Sequence, residues 1–294
     1  MALRKILCPT DFSGVSDQAL RVAAHLAMAH GSELVIAHAW SLEPPLFAGE
    51  FVYPAEVVRE LVDDADRGVA AAVTTVRTIG ATRVSSIVIN GSPWETIVDH
   101  AERTPEIDLI VSGTRARTGL ARAFLGSVAE MIVRHAPCSV LAVPDGGDKP
   151  FQRVLCPIDF SPSSRFALEL VAELAGSRET SITLLHVIDP PRAYNEEPFL
   201  TALDGGLVKR SHTLLDQWAA EVTAKRPIRT SSAVRIGRAG PEIRALLDEG
   251  EPFDLVAMGS HQRTGIRRAV LGSVAETTLR HAHRAVLVAR QRRA

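Results

Sequence analysis

The chain has 294 residues, of which 46% are hydrophobic and 23% charged, with a formal net charge of −1. That length suits about two domains with proper cores, and the composition excludes a disordered chain. The charge balance offers no general attraction to nucleic acid or an anionic membrane, so any phosphate site has to be built from local positive charge.

No apolar run approaches the length of a membrane span, and the opening MALRKILCPTDFS lacks the long apolar core of a signal peptide. A cytoplasmic protein with neither nucleic-acid nor membrane partners is expected. Cys8, Cys138 and Cys156 show no CxxC spacing and are expected to be small, buried, reduced thiols.

In chain order, KILCP is the first predicted strand. Asp11 and Ser13 are candidate caps for a helix running through DQALRVAAHLAMAH and stopping at Gly31. ELVIAHA is the second strand. An aromatic, Pro-rich excursion follows from Ser41 to about Pro54, then a helix from about Ala55 to Ile79. VSSIVI is the third strand, followed by a Gly turn and a helix from Trp94 to about Arg103. DLIVSG is the fourth strand, and SVLAV the fifth. Strands alternating with helices predict a parallel sheet covered on both faces by right-handed crossovers.

The same series then returns. KILCPTDFS recurs as RVLCPIDFS, ELVIAHAW as SITLLHVI, NGSPWETI as IGRAGPEI, and SVLAV as AVLVA. The order is kept, so a whole domain is duplicated. The polar stretch Pro144 to Pro150 is the expected linker, dividing the chain into domains 1–145 and 151–294. The helix of the second copy begins Ser161-Pro162, an N-cap followed by Pro at the first helical position. The fold class is α/β, with two tandem five-stranded, parallel, doubly wound sheets. Ligands in such sheets bind outside the carboxyl ends of the strands where the winding reverses.

The most informative stretch is DLIVSGTRARTGLARAFLGSV, from Asp108, which recurs from Asp254 as DLVAMGSHQRTGIRRAVLGSV. Each copy is a strand, a Gly, a basic loop, and a Gly-Ser pair opening a helix. The first amides of a helix have no partner within it and attract anions. In the first copy the candidates are Gly113, Thr114, Arg115, Ala116 and Arg117, with Gly126, Ser127 and Val128. In the second they are Gly259, Ser260, His261 and Arg263, with Gly272, Ser273 and Val274. From these residues alone the guest is a phosphate-bearing nucleotide. Neither loop ends in the GK[ST] of a P-loop, and there is no GxGxxG, no HExxH and no nucleophile elbow. With no legible nucleophile, base and orienting acid, binding is expected over turnover. His38 and His186 end the second strand of each copy and are expected to be hydrogen-bonding residues of the fold.

The spacing from Gly113 to Ala116 to Gly126-Ser127 resembles the G-x2-G-x9-G-[S/T] loop of the universal stress protein family, with Ala at the second Gly; in the second copy Gln262 stands there. The chain is thus similar to a tandem member of that family. The resemblance implies that the strand-one corners, Pro9-Thr10-Asp11 and Pro157-Ile158-Asp159, lie along an adenosine. It also implies that Ala39 and Val187 line the adenine pocket. ATP, possibly with Mg2+, is the cofactor implied, and a stress-response binding protein the function. A slow Mg-dependent ATPase and a scaffold without nucleotide are the alternatives. Single-domain relatives commonly dimerise through the fifth strand. The resemblance therefore implies an internal pseudo-dimer through strands 140–143 and 286–289, with a further homodimer possible.

Overall fold

The computed structural model describes residues 3–42, 53–114, 126–146, 151–175, 179–190, 206–249, 253–260, 272–281 and 284–292. Most of the predicted excursion after the second strand, and both basic loops (115–125 and 261–271), lie outside the described residues. The chain divides into two compact units. One is Ala2–Asp148 together with Arg292–Ala294, the other Lys149–Gln291.

The first unit runs β1 (Lys5–Pro9), α1 (Gly14–His30), β2 (Glu33–Trp40), α2 (Ala55–Ile79), β3 (Val84–Asn90), α3 (Pro93–Arg103), β4 (Ile107–Gly113), α4 (Ser127–His135) and β5 (Ser139–Val143). All pairings are parallel, in the order β3-β2-β1-β4-β5. β1 is short and apolar because it is the central strand: Ile6, Leu7 and Cys8 are buried, with a helix layer over each face. Right-handed crossovers place α1 and α2 on one face and α3 and α4 on the other, and each pair is in contact.

The helices are specified locally. α1 buries Ala19, Leu20, Ala23, Ala24 and Ala27 at helical spacing. Its N-cap is Ser13, whose hydroxyl accepts from the Ser16 amide, and it ends at left-handed Gly31, φ 65°. α2 buries Ala65, Val69, Ala72 and Val76 and ends at Gly80, φ 114°.

The second unit repeats the plan: β6 (Arg153–Pro157), α5 (Pro162–Ala175), β7 (Ser181–Ile188), α6 (Val208–Thr223), β8 (Arg229–Ile236), α7 (Ala239–Asp248), β9 (Leu255–Gly259), α8 (Ser273–His281) and β10 (Ala285–Ala289). Its strands are also parallel, in the order β10-β9-β6-β7-β8.

Both sheets are fastened at the amino ends of their strands, away from the crevice. The Asp108 carboxylate accepts from the Arg4 amide at 2.7 Å and from the Arg4 guanidinium at 2.8 and 3.2 Å. Asp254 accepts from the amides of Gln152 and Arg153, at 2.9 and 2.8 Å. The Asp opening each repeated stretch is thus a clip between the first and fourth strands. The first unit also takes in Arg292, whose guanidinium donates to the carbonyls of Ala101 (2.6 Å), Glu102 (3.1 Å) and Ile107 (3.0 Å) near the end of α3. A cation there meets the negative end of the helix.

All three cysteines are buried and unpaired in disulfides. Burial drives the Cys8 thiol far up and pushes Cys156 up to about 12, so both stay protonated at neutral pH. Titration of the folded protein at pH 8 with a thiol reagent should therefore modify none of the three at a rate near that of the unfolded chain. One fast-reacting thiol in the native protein would contradict this placement.

Candidate nucleotide-binding site

The winding reverses between β1 and β4, so the crevice of the first unit lies beyond Pro9 and Gly113. On the β1 side the chain turns sharply. The Thr10 amide donates to the Ala37 carbonyl at 2.9 Å. The Thr10 carbonyl accepts a hydrogen bond from His38 Nδ1 at 2.8 Å, which places a proton on Nδ1 because a carbonyl only accepts. Phe12 follows in the left-handed region, φ 60°. Its amide is held by Thr10 Oγ1 at 3.0 Å, and its ring stacks on His38 with centroids 4.3 Å apart. The Asp11 carboxylate accepts from the Ser13 amide at 3.0 Å, and Ser13 caps α1. Asp11 therefore makes the turn that presents the cap, while its side chain stays exposed.

The second unit repeats this corner. His186 Nδ1 donates to the Ile158 carbonyl at 2.7 Å, and Phe160 has φ 60° with its ring 4.6 Å from that of His186. The Asp159 carboxylate accepts from the Ser161 amide at 3.0 Å. Both histidines are built into the corner.

On the β4 side, the two glycine-marked corners of the first unit meet. The Gly126 amide donates to the Thr114 carbonyl at 2.6 Å, and the Thr114 amide to the Val143 carbonyl at 3.0 Å. Gly126 then enters α4 in an extended conformation, and no side chain caps the helix. The first-turn amides at Ser127, Val128 and Ala129 precede the first intrahelical bond, from Glu130 to the Gly126 carbonyl. α1, by contrast, caps itself through Ser13; α2 and α3 also lack a side-chain cap, and what distinguishes α4 is that its start lies at the Thr114 corner beyond β4. Glu130 would oppose an anion there, but Arg134 binds it at 2.8 Å. In the second unit the Ser260 amide donates to the Ala289 carbonyl at 3.0 Å, and Gly272 precedes α8.

Sequence reasoning takes Gly113 and Gly259 as places where backbone nears a ligand. The structure gives each a packing reason instead. A Cβ on Gly113 would lie 3.1 Å from the Val15 carbonyl oxygen, and one on Gly259 only 2.4 Å from backbone atoms of Ser163. The start of α1, or of α5, presses on the end of the fourth strand. Thr10 is also more occupied than sequence suggests: it is buried, and its amide, carbonyl and hydroxyl all serve the corner.

Pro9, Asp11, Ala39, Gly113, Thr114, Gly126, Ser127 and Val128 sit at the carboxyl ends of neighbouring strands or at the start of α4. Pro157, Ile158, Asp159, Val187, Gly259, Ser260, Gly272 and Val274 hold the matching places, with the backbone of Ser273 opening α8. Arg115, Ala116, Arg117, His261, Gln262 and Arg263 lie outside the described residues. The Gly turn expected after the third strand, and its counterpart in the second unit, also lie beside these positions. Gly91 and Gly237, φ 137° and 152°, donate to the carbonyls of Trp40 and Ile188 and turn the chain beside the second strand. The shared Gly of NGSPWETI and IGRAGPEI was their signal.

A parallel 3-2-1-4-5 sheet with this paired-corner crevice defines a doubly wound α/β protein. The Universal stress protein family matches residues 2–144 and again 150–290, and the chain belongs to that family, as a tandem member. A universal stress protein of Mycobacterium tuberculosis is 28% identical over 298 residues, spanning 97% of this chain and 96% of that protein. One from Methanocaldococcus jannaschii is 33% identical over 144 residues, 48% of this chain and 81% of its own length. The crystal structure of a universal stress protein from Archaeoglobus fulgidus superposes with a TM-score of 0.71 at 20% identity, covering 98% of this chain and 99% of that one, and shares the fold. Among the described residues no helix is long and apolar enough to cross a membrane.

Two outcomes follow from this geometry. Gly113→Ala should destabilise the first unit by about 1–3 kcal/mol through overpacking. Gly259→Ala should cost the second unit more, because the Ser163 backbone would stand 2.4 Å from the new Cβ, against 3.1 Å for Val15 at Gly113. Denaturant unfolding of each variant measures both, and a harmless Gly259→Ala would refute the close approach.

The second concerns Asp11. Partial burial raises its carboxyl, but hydrogen bonds from Ser13 and Ser16 outweigh that and leave it below the ordinary range. With the folded value depressed, its contribution to stability is fully present above the unfolded value and is lost as pH falls through the folded one. The stability difference between wild type and Asp11→Asn should thus be flat from pH 5 to 7 and shrink below about pH 4. A difference that grows on acidification would reverse the assignment.

Proposed function

We propose that the protein binds an adenine nucleotide, ATP, at the carboxyl ends of the strands, and acts as a stress-response binding protein. The observation that carries this is the hydrogen bond from the Gly126 amide to the Thr114 carbonyl. It gathers two distant glycine corners into one cradle beneath an uncapped helix start, which favours a phosphate chain. Exposed Asp11, held as a carboxylate, suits a hydroxyl donor such as a ribose. Arg115 and Arg117 supply loop charge, as do His261 and Arg263 in the second unit. Mg2+ would accompany the phosphates as their counter-ion.

The first unit is the stronger site. If the second loop glycine needs a left-handed backbone, a side chain there costs roughly 1–2 kcal/mol. Ala116 adds a methyl, whereas Gln262 adds a long chain beside the phosphate path.

The test is mass analysis of nucleotide released on denaturing the purified protein, followed by titration of the stripped full chain with ATP. Two affinity classes about tenfold or more apart are expected. Asp11→Ala should weaken the tighter class and Asp159→Ala the looser one. No released nucleotide and no binding on titration would leave a scaffold of this fold. Steady phosphate release would make it an ATPase.

A further inference from the structure

Gly68 lies in the middle of α2, where glycine is a poor helix residue. No turn, cap or positive φ calls for it there. Its neighbour supplies the reason. A Cβ at position 68 would fall 2.5–2.8 Å from three atoms at the tip of the Phe12 ring. That ring is not loose. Phe12 holds a left-handed backbone, its amide is bound by Thr10 Oγ1, and its outer face lies on His38, itself tied to the Thr10 carbonyl. The ring is thus clamped between α2 and an imidazole that fixes the strand-one corner.

The second unit meets the same need differently. Gly68 stands three residues after buried Ala65 and one before buried Val69, and Trp218 stands at the same offsets from buried Leu215 and Ala219. There the indole meets the edge of Phe160 with centroids 5.6 Å apart. Arg165 also lies over that indole, 5.0 Å from its centroid, and pairs with Glu169 and Glu221. Where α2 offers bare backbone to its corner phenylalanine, α6 offers a large ring locked by a cation. In both units a helix two elements away abuts the corner.

We propose that Gly68 is a positioning residue of the first crevice: its missing side chain seats Phe12 against His38 and so sets the Pro9–Asp11 corner for the nucleotide. This rests on the nucleotide reading above for its consequence, but not for its geometry. Gly68→Ala should push the Phe12 ring off His38, shift the His38 imidazole resonances in NMR spectra of the full chain, and weaken ATP at the first unit by about tenfold. Phe12→Leu should shift the same resonances. In that background Gly68→Ala should add less than about twofold to the loss, because the smaller side chain leaves room for the new methyl.

That rescue separates seating from general damage, and it keeps the test open if Gly68→Ala alone folds poorly, since the double variant should then fold. Unmoved His38 resonances in Gly68→Ala overturn the proposal, whether or not affinity changes. So does a Gly68→Ala effect of equal size in both backgrounds. If the resonances move as expected but wild type binds no ATP, the nucleotide reading fails and the seat of Phe12 stands.

Discussion

The structure depends on one close approach: the first turn of α1 against the end of β4, and its counterpart, α5 against β9. Neighbouring strands β1 and β4 send their connections to opposite faces of the sheet, which by itself opens a gap between them. Gly113 and Gly259 let the base of that gap close: a Cβ would crowd the carbonyl of Val15 at the first and collide with the backbone of Ser163 at the second. Once the floor is fixed, the chain beyond it has little freedom. Thr114 must bond to Val143, and its carbonyl is then in place for the Gly126 amide. The cradle at the start of α4 is a consequence of packing at the strand end.

The other wall is held by strain. A phenylalanine at φ 60° costs on the order of 1–2 kcal/mol relative to an ordinary backbone. It persists because several independent contacts over-determine it: the imidazole stack, the His-to-carbonyl bond, and the helix behind the ring. The duplicated unit reproduces the backbone of this corner with different side chains. Thr10 becomes Ile158 and Gly68 becomes Trp218, yet both phenylalanines reach φ 60° and both histidines bond the same carbonyl. The shape of the corner is therefore kept by more than one set of contacts. The side chains around it are where the two crevices differ.

Much of this was readable in the amino-acid order because its signals are local. Gly31 ends α1, α2 runs from Ala55 to Ile79 as its apolar spacing indicates, and SVLAV is a strand over its whole length. The repeat made domain duplication plain. The cap of α1 was half-legible: Ser13 takes the helix amide, while Asp11 holds the turn before it, and both types suit both tasks. What sequence could not show was the reason for a residue whose partner is distant in the chain. Gly113 looks like a ligand glycine until Val15 is seen against it, and Gly68 looks like a weak spot in a helix until the ring of Phe12 is placed. The left-handed phenylalanine has no local signature, because its cost is met by His38, 26 positions away in sequence.

The inventory of polar groups around the first crevice bears on what it can do. His38, the histidine a catalytic reading would choose, spends its Nδ1 proton on the Thr10 carbonyl and its face on Phe12. The hydroxyls of Thr10, Ser13 and Ser16 are engaged with one another and with the turn. Among the described residues, the exposed Asp11 carboxylate stands on one wall of the cleft and the first amides of α4 on the other. Amides stabilise a phosphate's charge without moving a proton. A carboxylate held ionised by its serines accepts a hydroxyl hydrogen bond but is a weak base toward water at neutral pH. A guest bridging Asp11 and the start of α4 would tie the β1 corner, and with it α2 behind Phe12, to α4.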